Sequence, residues 1–193
     1  MADEVQSGYG RSGPKLWRFA LAGITPDIVT LGKPMGAGYP IGAVITRREI
    51  ADALARRYEY FSTFAATPAA AAAGHAVLDV LQLTGLPEQA VEVGARMHRR
   101  LRDLAADEPL LGEVRGTGLL TGVDVLPAGG ATSREVARSL LEQLVTHGVL
   151  AGLTGPRGDV LKIRPPLVWQ PGHVDLFIDG LHRSLSELRT GRA

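Results

Sequence analysis

Asp27-Ile-Val-Thr-Leu-Gly-Lys-Pro-Met-Gly-Ala-Gly-Tyr-Pro-Ile-Gly-Ala-Val-Ile45 places one lysine, Lys33, in a glycine- and proline-rich loop between two short apolar runs. The runs 27–31 and 41–45 are brief, rich in Ile and Val and bounded by turn residues, so they are expected to be buried strands. Gly32, Gly36 and Gly38 permit a sharp turn or a close approach to a ligand, and Pro34 biases Lys33 toward an extended conformation. A lysine desolvated in such a pocket loses part of its positive charge and becomes available for Schiff-base chemistry. A solvated loop lysine fits the same spacing, and the loop alone leaves both readings open.

Working outward, residues 3–13 read Asp-Glu-Val-Gln-Ser-Gly-Tyr-Gly-Arg-Ser-Gly. Together with Gly32-Lys-Pro-Met-Gly-Ala-Gly38, this stretch resembles the class III aminotransferases, which are fold type I pyridoxal-phosphate (PLP) enzymes. Phe61-Ser-Thr-Phe64, Val114-Arg-Gly-Thr-Gly-Leu119 and Leu161-Lys-Ile-Arg-Pro-Pro-Leu167 continue the resemblance in order along nearly the whole chain. It implies an α/β fold made of the C-terminal part of such a transferase: a partial PLP-binding large domain at 1–84 and a small α/β domain at 85–193.

The resemblance also implies roles. Lys33 is the amine that forms the Schiff base with the cofactor and shuttles a proton, which an arginine, always protonated, does not replace. Asp3 pairs with the pyridine nitrogen and keeps it protonated, Val5 lies against one ring face, and Gln6 bonds the ring hydroxyl. Thr63 reaches the cofactor phosphate of a neighbouring subunit, a bond worth ~1.5–3 kcal/mol, and so implies a homodimer with a shared site. Arg164 grips the substrate carboxylate, for which its planar fork is suited. Arg115-Gly-Thr-Gly118 is expected to be a structural turn. The chain departs from the family pattern at Ala65-Ala-Thr67, where Gly-Gly-Asn is usual, and at Ala37, where asparagine is common.

Composition narrows the alternatives. A net charge of +1 gives no electrostatic reason to expect nucleic acid or an anionic membrane as partner. Zero cysteines exclude disulfides, thiolate metal sites and a cysteine nucleophile, and are compatible with a cytoplasmic location. No stretch approaches the ~20 apolar residues of a membrane helix. Histidines 75, 98, 147, 173 and 182 show no metal-ligand spacing and read as surface or helix residues.

Helices are expected at 48–57, 68–81, 88–106, 134–147 and 172–189, with Ser133 capping the fourth and Val91, Ala95, Leu101 and Leu104 as the apolar stripe of the third. Residues 112–126 are expected to form a hairpin, with further strands at 150–153 and 160–163. Strands mixed with helices on one side imply a compact α/β sandwich.

The expected activity is transfer of an amino group from an amino acid or amine to a 2-oxo acid. The motif Thr154-Gly-Pro-Arg-Gly-Asp-Val-Leu-Lys-Ile-Arg-Pro-Pro166 looks closest to the branch containing amino-alcohol phosphate phospho-lyases, which eliminate phosphate with the same lysine and cofactor. A third reading is a PLP-fold remnant that folds or dimerises without turnover. Family members are longer, and their N-terminal half has no counterpart here, so the chain reads as truncated ahead of Asp3.

Overall fold

The structure, a computed structural model, describes residues 1–65 and 67–191. The chain divides into two compact units, Met1–Glu88 and Gln89–Ala193.

The first unit holds a three-stranded sheet built from β1 (Ala2–Asp3), β2 (Ile28–Leu31) and β3 (Ala43–Thr46), in the order β1-β2-β3. β1 runs parallel to β2, with Ala2 opposite Val29 and Asp3 opposite Thr30. β3 is antiparallel to β2, from Ile28 opposite Thr46 to Leu31 opposite Ala43. Both flanking runs of the lysine loop therefore contain strands, and Val29 and Leu31 are the buried members of β2, alternating as period-two pleating requires. The expectation of burial fails for the second run: Val44 and Ile45 of β3 are 65% and 55% exposed, since β3 is an edge strand of this sheet. A single helical turn, α1 (Arg18–Leu21), precedes β2, and α2 (Arg48–Arg57) follows β3. α3 (Pro68–Thr84) starts on a proline, whose missing N–H costs nothing at a helix start. The Thr67 hydroxyl caps it by accepting the Ala70 N–H at 3.2 Å, and Gly85 ends it in the left-handed region at φ 64°.

α4 (Leu86–Asp107) is followed by β4 (Leu111–Thr117), β5 (Leu120–Val125), α5 (Ser133–Thr146), β6 (Gly152–Thr154), β7 (Val160–Ile163) and α6 (Pro171–Thr190). The second unit's sheet is antiparallel throughout, in the order β4-β5-β7-β6. Val123 and Val125 of β5 and Leu161 and Ile163 of β7 pack into one core with Met97 and Leu101 of α4, Leu140 and Leu144 of α5, and Leu181 and Leu185 of α6. Fully burying each such side chain contributes about 1.5–3 kcal/mol. The hairpin closes through the two residues Gly118 and Leu119.

Three local expectations are corrected. The apolar stripe of α4 is Ala90, Val93, Met97 and Leu101, while Val91 is 37% exposed and Ala95 is exposed. Val91 and Ala95 are out of phase with Leu101 on a helix of 3.6 residues per turn, so one face cannot hold all three. The cap of α5 is Thr132, not Ser133: its hydroxyl accepts the Glu135 N–H while Glu135 accepts the Thr132 N–H at 2.7 Å, a reciprocal box. β6 begins at Gly152 rather than Leu150, because pairing with β7 runs only from Gly152–Lys162 to Thr154–Val160. Among the described residues no single helix is long and apolar enough to cross a membrane.

Candidate active site

Two adjacent carboxylates at the end of β1 have opposite fates, as alternation along an extended chain dictates. Glu4 is 2% exposed and serves the structure: its Oε1 accepts the Phe19 N–H and its Oε2 the Ser7 hydroxyl, each at 2.8 Å. Asp3 is exposed, and its Oδ1 accepts the Val5 N–H at 3.0 Å and the Thr30 hydroxyl at 3.2 Å. Val5 is half-buried, with its methyls 3.5 and 3.8 Å from where a Cβ on Gly32 would stand. Val5 thus lies beside the backbone that leads into Lys33, at a distance of ordinary van der Waals contact. Gln6, also half-buried, follows it.

β2 ends at Leu31, and Lys33 opens a short 3₁₀ turn, Lys33–Gly36. The Met35 N–H donates to the Gly32 carbonyl at 2.9 Å, and the Ala37 N–H to the Pro34 carbonyl at 3.2 Å. Lys33 is not extended, as its place before proline suggested: its φ is +27°. The turn's own hydrogen bonds override the pre-proline preference and hold the residue in a sparsely populated conformation, strain of the kind that gathers at functional sites. Its side chain is exposed, so these residues do not themselves provide the desolvation expected of the loop. Ala37 has φ +46°, a conformation asparagine tolerates better, so the departure from the common residue falls on a strained position. Gly36 is packed so closely that an added Cβ would stand 2.7 Å from Ile41 Cγ2.

Because β1 and β2 are parallel neighbours, Asp3 and Lys33 both emerge at the C-terminal ends of their strands, where open parallel sheets bind ligands. Thr63 lies elsewhere, in the irregular segment between α2 and α3, exposed among the exposed aromatics Tyr60, Phe61 and Phe64. Of the triplet Ala65-Ala66-Thr67, Ala66 lies outside the described residues.

Arg164 belongs to the second unit, one residue past β7, and is exposed. It lines a cavity of about 600 Å³ together with His147, Lys162, Trp169 and His173, against an apolar wall that includes Leu176 and Phe177. Trp169 and His173 stack with ring centres 6.1 Å apart. No carboxylate lines this cavity among the described residues, so its polar groups favour an anionic guest. Sequence reading missed the gathering of His147, Trp169 and His173, since nothing in their separation of up to 26 positions signals a shared wall. Arg115, expected in a turn, instead lies within β4, where it pairs with Asp124 at 2.6 Å.

The chain matches the family model of the class-III aminotransferases over residues 1–185 and belongs to that family. It is 38% identical to ethanolamine-phosphate phospho-lyase homolog 1 of Caenorhabditis elegans, over 95% of this chain and 40% of that protein. It is also 38% identical to alanine–glyoxylate aminotransferase 2 homolog 2, mitochondrial, of Arabidopsis thaliana, over 97% of this chain and 39% of that one. Among solved structures, a phospholyase from Arthrobacter in complex with phosphoethanolamine superposes with a TM-score of 0.88 at 40% identity, covering 95% of this chain and 44% of that chain. The chain thus has the α/β fold of the PLP-dependent transferases and spans about two fifths of the length of these curated relatives. The donor set fits PLP. An exposed carboxylate held by two donors, an exposed amine at the adjacent strand end, and a half-buried valine at Gly32 match a cationic ring nitrogen, an aldehyde and a ring face.

Proposed function

We propose that this chain carries the cofactor-holding lysine and the substrate-holding arginine of a PLP-dependent aminotransferase, which moves an amino group from an amino acid or amine to a 2-oxo acid. The observation that supports this most is the placement of Asp3 and Lys33 at the C-terminal ends of neighbouring parallel strands. PLP, when bound, supplies an electron sink for negative charge developing at the substrate carbon. The chain's residues do the rest. Asp3 keeps the ring nitrogen protonated, Val5 covers a ring face and Gln6 bonds the ring hydroxyl. Lys33 holds the cofactor through its amine, then carries the proton. Arg164 orients the substrate by its carboxylate, with two parallel N–H donors. Residues 1–84 form the cofactor part and 85–193 the small domain.

A homodimer belongs to the same reading: Thr63 serves the partner's phosphate, and the exposed Tyr60, Phe61 and Phe64 around it are what a subunit contact would cover. A cytoplasmic location is proposed from the cysteine-free composition. The Arabidopsis relative carries a mitochondrial name, and fractionation of cells expressing the protein decides between the two.

Incubation with PLP, borohydride reduction and peptide mapping is expected to place the pyridoxyl group on Lys33. Label on any other lysine, or on none, defeats the assignment. A second reading, elimination of phosphate from a phosphorylated amino alcohol, draws support from the relatives with that name and from the carboxylate-free cavity at Arg164. Release of inorganic phosphate from phosphoethanolamine selects it, whereas amino transfer to a 2-oxo acid selects the first.

A further inference from the structure

Thr30 touches the 3–5 segment twice. Its carbonyl accepts the Glu4 N–H at 2.9 Å, which fixes the backbone just past Asp3. Its hydroxyl donates to Asp3 Oδ1 at 3.2 Å, directly across the β1–β2 register. The Val5 N–H reaches the same oxygen at 3.0 Å from within β1's own chain. Two donors arriving from different segments determine the plane of the carboxylate, and both are spent on Oδ1. Oδ2 is left without a donor among the described residues, at the C-terminal end of β1, beside the strand end from which Lys33 follows.

We infer that Thr30 is a positioning residue: its hydroxyl holds the Asp3 carboxylate so that Oδ2 is the oxygen presented to the ring nitrogen of PLP. The inference rests on the proposed PLP site and assigns a role to a residue that none of the motifs singles out. A threonine serving only as a strand former would do its work through the branched Cβ, which valine keeps. The hydroxyl is therefore separable from the fold: Thr30→Val removes the donor and preserves shape, while Thr30→Ser preserves the donor.

The test uses PLP labelled with ¹⁵N in the ring, titrated into the chain and its Thr30→Val, Thr30→Ser and Asp3→Asn variants. Its readouts are the ring-nitrogen chemical shift at saturation, the PLP dissociation constant, and the Asp3 carboxyl ¹³C signal in the cofactor-free protein. Thr30→Val is expected to move the ring nitrogen toward the position seen with Asp3→Asn. It should also perturb the Asp3 carboxyl signal without cofactor and weaken PLP about three- to tenfold, the size of one ordinary hydrogen bond. Thr30→Ser should stay close to the parent in all three. If Thr30→Val matches the parent while Asp3→Asn shifts the ring nitrogen, the positioning role is wrong and the PLP site stands. If Asp3→Asn leaves the ring nitrogen unmoved, the PLP reading falls and this inference with it. Should Thr30→Val not fold, Thr30→Cys, with a weak donor, carries the same comparison.

Discussion

His98 Nε2 and Thr121 Oγ1 lie 2.7 Å apart, both buried, joining α4 to β5. Burial, and secondly the nearby Arg102 guanidinium, push His98 below its ordinary value of 6.5. Between that lowered value and 6.5 the unfolded chain binds more protons than the folded one, so stability rises with pH in this window and is lost as pH falls through it. Thermal unfolding followed from about pH 8 to about pH 5 should show a midpoint that declines below 6.5 in the parent and declines less in His98→Gln. Parallel curves would remove His98 as the source.

A Cβ on Gly94 of α4 would overlap the Gly118 carbonyl at the hairpin turn. Helix and turn are both backbone at this contact, so neither yields cheaply. Gly94→Ala is expected to cost about 1–3 kcal/mol, read as a lower denaturant midpoint at unchanged slope. Gly152→Ala, where an added Cβ meets nothing within 4 Å, is the control and should be close to neutral.

The features legible beforehand are those whose cause is local. Runs 27–31 and 41–45 carry their own strand signal. α2 has the expected limits, Arg48–Arg57, because strong helix formers fill it and extended residues, Arg47 and Tyr58, bound it on both sides. What escaped depends on partners distant in sequence. The phase of α4 is decided by which face meets the core, and the first residue of β6 by where β7 ends its pairing. The cap at Thr132 was readable, since Glu135 stands three positions on, but two adjacent cap formers compete there. At the site, Asp3 and Lys33 come from motifs, whereas Thr30 requires the β1–β2 register, which no spacing reveals. The cavity wall of His147, Trp169 and His173 needs the folded second unit.

Ala37 is a non-glycine residue at φ +46°, ending the lysine turn in a conformation that costs an L-residue roughly 1–2 kcal/mol. Asparagine visits that region more readily, and Ala37→Asn is expected to stabilise the chain by about 0.5–1 kcal/mol. Equilibrium denaturation measures it. A loss of stability would mean that the methyl makes contacts worth more than the strain.

Arg164→Lys keeps the charge and loses the bidentate fork. With the fork aimed at a substrate carboxylate, kcat/KM for a carboxylate-bearing amino donor should fall about 10- to 100-fold, the loss of a hydrogen bond to a charged group. A simple amine donor should be affected far less. Equal losses for both donors would argue against carboxylate recognition at Arg164.

Thr63 stands exposed in a segment apart from the Asp3–Lys33 strand ends, among aromatics that are also exposed, including Phe64 at 90%. Its proposed service to a partner's phosphate makes a prediction about mixed dimers. A chain carrying Lys33→Ala and a chain carrying Thr63→Ala are each defective at every site of their own homodimer. In a heterodimer of the two, one site takes Lys33 from the Thr63→Ala chain and Thr63 from the Lys33→Ala chain, and so lacks neither group. The other site lacks both. Random exchange between equal amounts makes half the dimers mixed, each with one intact site of two, so activity should return to about one quarter of the parent's in a two-fold dimer. Recovery at this level, absent from either variant alone, supports a site shared between subunits. Proven exchange without recovery would show that Thr63 acts within its own subunit or not at all.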